Sequence, residues 1–486
     1  MIRVRNVFWA AILPLSYLPF SSSAQTNVTF TTMVAFAGTN GHYPYASLVQ
    51  GSDGNFYGTT REGGANSYGT VFKMTPDGTL TTLFAFSNSN GSSPEAPLIQ
   101  GNDGKFYGTT QRGGTNGDNG TVFSITTDGI FNSLASFAGT NGANIPAGLV
   151  QGTDGNFYGT TVNGGIKPPP LPGQSAYGTV FMMTPNGTLT SLYSFSFGTP
   201  YNGNGNDLYP GVGLVEGKDG HYYGTTQGAS YNYNYGTIFR MDTNGVVNTL
   251  FNFKIANIGT AGSVPQGPLL LASDGNFYGM TMSGGAYGFG TVFRIDTNGT
   301  LTALVSFNKT NGANTYTLAP LSGHLVQATD GNFYGVTSSG GASNSGTIFM
   351  MTPSGTLTTL YSFIGGTNGA NPTGLIQASD GNFYGTTTFT SMTGDGGTLG
   401  DGTIFRISIP LQPVFTSVTQ SNNMINLTWS TVTSHTYQLQ FATDLTSTNW
   451  SNLKDIITAT NGTMSATDVL GSDPQRFYRV LLLQSP

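Results

Sequence analysis

The sequence predicts an all-β protein: a seven-bladed β-propeller followed by a small β-sandwich. Three observations carry that reading. Short phrases recur seven times along the chain, each has the length and residue types of a strand, and hairpin-turn residues join them.

Composition excludes the other classes. The chain has 486 residues, with 71 glycines and 8% charged residues, against roughly a quarter charged in an ordinary soluble domain. Helices disfavour glycine and need charged side chains on their exposed faces. An α-rich fold is therefore excluded. Aromatic residues at 12% give the chain surface to bury, which excludes disorder. Lys and Arg number 16 against 22 Asp and Glu, so no basic face is available for nucleic acid. With no cysteine, disulfides, thiolate nucleophiles and Cys-based metal centres are excluded.

Residues 1–24 read as a signal peptide. Arg3 and Arg5 precede an apolar run from Val7 to Phe20, and Ser21, Ser22, Ser23 and Ala24 supply a small-residue cleavage site. The run is shorter than the ~20 residues of a spanning helix and contains Pro14 and Pro19. Cleavage after Ala24 leaves 14 basic and 22 acidic residues, a net charge of −8, and no membrane span. The expected location is secreted or cell-surface.

The repeat occupies residues 26–409. Asp-Gly-x-Phe/Tyr-Tyr-Gly begins at Asp53, Asp103, Asp154, Asp219, Asp274, Asp330 and Asp380. Gly-Thr-Val/Ile-Phe begins at Gly69, Gly120, Gly178, Gly236, Gly290, Gly346 and Gly402. A third phrase, rich in Thr, Leu and aromatics, ends at Phe36, Phe86, Phe137, Phe195, Phe253, Phe307 and Phe363. A fourth, Leu-Val/Ile-Gln, stands before most of the Asp-Gly pairs, and Glu216 replaces its Gln in one copy. Asp53-Gly54 and Pro76-Asp77-Gly78 are turn signals that tolerate positive φ. Each unit therefore reads as four antiparallel strands, which is a propeller blade. The outermost phrase comes first, at Val28–Phe36, and the last unit stops after its third strand near Ile404–Ile409. The N-terminal strand is thus expected to complete the last blade.

The phrases Asp53-Gly54-Asn55-Phe56-Tyr57-Gly58-Thr59-Thr60, Gly63-Gly64-Ala65 and Gly69-Thr70-Val71-Phe72 resemble the GloVer tandem repeat of bacterial exported proteins, best known from Gloeobacter and Verrucomicrobia. All seven copies carry the core motif. The resemblance implies a secreted or surface propeller, often followed by an anchoring segment, and implies no established activity. This chain ends Leu481-Leu482-Leu483-Gln484-Ser485-Pro486, in which no anchor helix is recognised.

Pro410 and Pro413 mark the end of the repeat. Short strand-like runs follow, as at Ile425–Trp429 and Thr436–Phe441, so residues 412–486 resemble a fibronectin type III-like sandwich. Trp429 is expected in its core.

A ligand site is expected on one face. The Asp-Gly turns lie at one end of the blades, and the long, variable loops at the other. The loop face carries Tyr43, Tyr45, Tyr201, Tyr209, Tyr231, Tyr233 and Tyr235, with Arg61 and Arg112 as its loop arginines. Tyrosine offers an apolar ring with a polar tip. A polysaccharide or a cell-surface protein is the expected partner, bound without a cofactor. The competing explanation is that these tyrosines pack the loops.

Catalysis is the alternative. Most of the 22 acids are repeat turns or belong to the C-terminal module. Seven others remain, Glu62, Glu95, Asp118, Asp207, Glu216, Asp395 and Asp401, and of these Glu62, Asp118 and Asp207 are the candidates for a carbohydrate-active hydrolase or lyase, which needs two carboxylates ~5–10 Å apart. A third reading is a purely structural disc. His42, His221, His324 and His435 show no ligand spacing, so no metal is expected. Glu216 is expected in a polar ring with Gln50, Gln100, Gln151, Gln327 and Gln377, and His324 near the channel.

Overall fold

The computed structural model describes residues 2–5, 28–166, 177–195, 209–228, 235–313, 324–389, 400–409, 413–431, 435–444, 449–471 and 475–484. The signal-peptide reading falls on residues that lie, apart from 2–5, outside them.

The described repeat residues form seven four-stranded antiparallel sheets. Sheet 1 consists of Val49–Gln50, Phe56–Thr60, Thr70–Met74 and Leu80–Ala85. Sheets 2 to 6 follow at 99–136, 150–194, 215–252, 263–306 and 325–362. Sheet 7 joins Ala370–Gln377, Phe383–Phe389 and Thr403–Ser408 to the N-terminal Thr29–Ala35. In that last pairing Phe30 faces Ile407 and Thr32 faces Phe405. The all-β, propeller-like fold is as the sequence predicts.

Both faces of each sheet are covered, which explains strands that read as unbroken apolar runs. Seven core clusters each lie between two consecutive sheets. One of them holds Phe56, Phe72 and Met74 of sheet 1 against Ala378, Tyr384 and Ile404 of sheet 7. The aromatic pair of the repeat motif runs through the same boundaries. Tyr57 stacks on Phe106 at 4.0 Å, and the series continues sheet by sheet until Tyr384 meets Phe56 at 4.2 Å. The first and last sheets therefore share a core just as their neighbours do.

Gly58 shows why the motif keeps a glycine inside a strand. A Cβ there would lie 2.5 Å from Phe72 Cζ. Its absence lets the Phe ring lie flat on the neighbouring strand.

Beyond the repeat, two sheets share another core. Phe415–Ser421, Met424–Ser430 and Thr463–Val469 form one. The other contains Thr436–Ala442 and Gln475–Gln484, with Ile2–Arg5 paired to Gln475–Tyr478 at its edge. Ile425, Leu427 and the fully buried Trp429 pack on Leu439 and Tyr478. Asp468 ties the two sheets, accepting bonds from Arg476 Nη1 and Tyr478 Oη, each at 2.6 Å.

Candidate functional site

Antiparallel strand order gives the sheets two kinds of end, and their polar groups differ. At the turn end the repeat acids are engaged by the fold. Asp53 Oδ2 accepts from Tyr57 Oη at 2.7 Å and Asn55 Nδ2 at 2.8 Å, while Oδ1 accepts from Asn55 N. Burial opposes ionisation of Asp53, but these hydrogen bonds outweigh it and hold the carboxyl below its usual range. Asp103, Asp154, Asp219, Asp274, Asp330 and Asp380 each accept from the matching tyrosine hydroxyl.

The repeat glutamines clasp one sheet to the next. Gln100 Oε1 accepts from Ser52 N, Gln151 Oε1 from Asn102 N, Gln327 Oε1 from Ser273 N and Gln377 Oε1 from Thr329 N. Glu216 takes the same role, accepting from Thr153 N at 3.1 Å and Thr153 Oγ1 at 2.8 Å. It thus takes the glutamine's place in the clasp between sheets 3 and 4. Where sheet 5 continues the series the residue is Leu271, which has no acceptor to offer.

The loop end gathers charge at one place, where sheets 7, 1 and 2 meet. Arg61 follows the second strand of sheet 1 and reaches Glu95, on the segment entering sheet 2. Arg61 Nε lies 2.9 Å from Glu95 Oε1. Arg61 Nη1 is 3.7 Å from Glu62 Oε1 and donates to Tyr45 Oη at 3.4 Å, with the guanidinium over the Tyr45 ring. Glu95 is 2% exposed, and its Oε2 has no hydrogen-bond partner. Burial pushes its pKa up to about 7, against the positive charges of Arg61 and Arg112.

Tyr43 stands beside this pair, with its ring edge-on to Phe389 at 5.3 Å. Its hydroxyl is pushed above the usual range by burial, and then by the negative charges of Glu62 and Asp401. His42 Nδ1 lies 3.3 Å from Asp401 Oδ1, and Asp401 Oδ2 accepts from Gly38 N. Sequence reasoning named Tyr43, Tyr45, Arg61 and Glu62, and these come together. It counted Glu95 and Asp401 among the acids outside the repeat turns but made neither a candidate. The signal for Glu95 was its place in the repeat: Pro94-Glu95-Ala96 stands where sheet 1 has Pro44-Tyr45-Ala46.

The candidates differ in exposure and surroundings. Tyr45 is buried, so its ring packs rather than presenting a face. Arg112 is exposed and acts on Glu95 through its charge. Asp118 accepts from Gly113 N of its own loop at 2.6 Å, and no hydrogen bond or ion pair among the described residues joins it to Glu62. Tyr209 lies edge-on to Tyr177 at 5.6 Å, and Tyr235 packs on the core between sheets 4 and 5. Tyr201, Asp207, Tyr231 and Tyr233 lie outside the described residues.

Tyr43 and Tyr209 share a backbone role as well. Both have positive φ, as do Ser93, Asn144, Val264 and Asn371 at the same repeat position. Each donates its N–H to the preceding sheet, Tyr43 to Asp401 O and Tyr209 to Tyr177 O. The position is a hook between sheets, whatever its side chain.

His324 retains some solvent contact, yet the dense protein around it disfavours the imidazolium and lowers its pKa to about 4. Its Cβ lies by Gly374, which also approaches Ser47. Innermost residues of sheets 6, 7 and 1 therefore meet there. Among the described residues no group of three or more His, Asp or Glu is placed to hold a metal ion. None of their helices is long and apolar enough to cross a membrane.

A family profile, the Gloeobacter/Verrucomicrobia repeat, matches residues 20–215 and 209–435. The chain belongs to the Gloeobacter/Verrucomicrobia repeat family. No curated protein matches this member of the family. Similar solved structures include a candidate 6-phosphogluconolactonase from Bacteroides uniformis, at 14% identity and TM-score 0.45, over 86% of this chain and 99% of that one. PorZ, a surface component of the type-IX secretion system of Porphyromonas gingivalis, is similar at 12% identity and TM-score 0.45, over 92% and 60%. A gluconolactonase from Xanthomonas campestris is similar at 11% identity and TM-score 0.35, over 80% and 92%. Likeness at this level carries no activity over to the Gloeobacter/Verrucomicrobia repeat protein.

Proposed function

We propose that this is an exported, seven-bladed repeat propeller acting as a non-catalytic binding or surface scaffold, which receives glycan or protein ligands on its long-loop face. The division that goes with this reading is a signal peptide at 1–24, a propeller at 26–409 and a fibronectin type III-like sandwich at 412–486. The protein is secreted or held at the cell surface, and its partner is a polysaccharide or a cell-surface protein. The reading calls for no cofactor.

The contrast between the two ends of the sheets carries it. At the turn end, Asp53, its equivalents and the glutamines are engaged by the fold. At the loop end, Arg61, Glu62, His42 and Asp401 gather around sheet 1 with a quarter to nearly half of each side chain exposed. Binding surfaces put polar groups on loops held by a rigid frame.

One observation favours a hydrolase or lyase instead. Glu95 shares Arg61 with Glu62, and a pKa near 7 suits a general acid. Its burial argues against this, because a substrate in solvent has no path to a carboxyl that is 2% exposed. A glycan array run beside a polysaccharide hydrolysis assay separates the two. Binding without product release supports the scaffold. Product release that disappears in Glu95→Gln overturns it.

A further inference from the structure

The Arg61–Glu95 pair departs from a repeat that supplies its own control. At the position of Arg61 the other copies have Gln111, Val162, Gln227, Met282, Ser338 and Thr388. At the position of Glu95 other copies have Tyr45, Pro146, Gly211 and Gln266. Among the described residues, a cation at the first of these positions meets an anion at the second only where Arg61 faces Glu95. Burying an ion pair costs desolvation, and the other boundaries pack without one. Packing therefore does not require the pair.

Nor does the pair use up the groups around it. Arg61 Nε faces Glu95 Oε1 at ion-pair distance but makes no hydrogen bond, and its Nη1 contacts to Tyr45 and Glu62 are long, at 3.4 and 3.7 Å. A third of the Arg61 side chain and 44% of that of Glu62 remain exposed. Beneath them Glu95 Oε2 is buried without a partner. Exposed donors thus lie next to an exposed acceptor, over a carboxyl that fixes the guanidinium. When Glu95 is ionised, Arg61 and Arg112 are balanced by Glu62 and Glu95, and in that state the quartet has no net charge to select an anion. It suits a neutral group that donates and accepts at adjacent positions. Adjacent hydroxyls on a sugar ring do both.

We infer that Arg61 and Glu62 form a subsite for the vicinal diol of a neutral pyranose, with Glu95 as the positioning residue that holds Arg61. This rests on the glycan-binding reading and narrows it to one sugar class at one boundary.

The test is calorimetric titration of the full chain with neutral gluco-, xylo- and manno-oligosaccharides and with trigalacturonate, at low and high salt. One neutral oligosaccharide is expected to bind independently of salt, and tenfold or more weaker in Arg61→Gln and in Glu62→Gln. Affinity is expected to change between pH 6 and 8 as Glu95 ionises beside Arg61, Arg112, Glu62 and Tyr45, and to be flat over that range in Glu95→Gln. If Arg61→Gln fails to fold, Arg61→Lys, which keeps the charge but not the fork, takes its place. Salt-sensitive binding of trigalacturonate that tightens in Glu62→Gln overturns the inference and leaves the glycan reading standing. So does glycan binding that ignores both substitutions. No binding of any sugar removes both.

Discussion

Gln50 Oε1 accepts a hydrogen bond from Ser379 N at 2.8 Å, across 329 residues of chain. Gln50 Nε2 also donates to Ser379 Oγ and to Gly54 O. One side chain therefore clasps sheet 1 to sheet 7 and steadies its own turn. Replacing it with alanine leaves the exposed Ser379 N–H to water and removes the side-chain bonds that join the closing boundary. Gln50→Ala is expected to lower stability by ~1–2 kcal/mol, read as a shifted denaturant midpoint with an unchanged slope. An unshifted midpoint would show that the clasp contributes nothing.

Tyr57→Phe removes one hydroxyl from Asp53. The folded Asp53 has a depressed pKa, so its contribution is present above the unfolded pKa and is lost as pH falls through the folded one. Taking away a hydrogen bond to the ionised form raises the folded pKa. The variant should unfold at a higher pH on acid titration, and coincident acid-unfolding curves contradict this.

Glu95 has the opposite sign. Its folded pKa lies above the unfolded value, so the folded state holds the proton longer, and stability falls as pH rises from about 4.5 to about 7. His324, depressed to about 4, works against this slope over part of the same range. The difference between parent and variant isolates Glu95. Glu95→Gln should remove a decline of up to ~1.4 kcal/mol per pH unit, and parallel stability profiles would refute the assignment.

Gly58→Ala places a Cβ 2.5 Å from Phe72 Cζ and 3.1 Å from Leu48 Cδ2 in a filled core. The ring must tilt out of its packing. A loss of ~1–3 kcal/mol is expected, and thermal unfolding checks it. A neutral substitution would mean that the sheet boundary is looser than described.

How much was legible follows from which residues repeat. Asp53-Gly54 and Gly69-Thr70-Val71-Phe72 announce turn and strand in every copy, so sheet number and strand order could be read directly. The inter-strand bulge at Val71/Phe72 could not, because Leu83 looks like any strand residue. The backbone hook at Tyr43 was hidden too. Its positive φ is shared by Ser93 and Val264, which carry no sequence mark of it. Arg61 and Asp401 come from different sheets, and only the closed succession of sheets brings both to Tyr43. Tyrosine counts singled out the loop face, but composition says nothing about burial, and Tyr45 proved buried.

Closure of the first strand into the last sheet can be tested directly, since the chain has no cysteine of its own. Thr31 and Arg406 are partners in that pairing. The double variant Thr31→Cys, Arg406→Cys, oxidised in dilute solution, should form an intramolecular disulfide that changes its mobility on non-reducing electrophoresis. Thiols that stay free, or that link only between molecules, would contradict the closed ring and the loop-face site built on it.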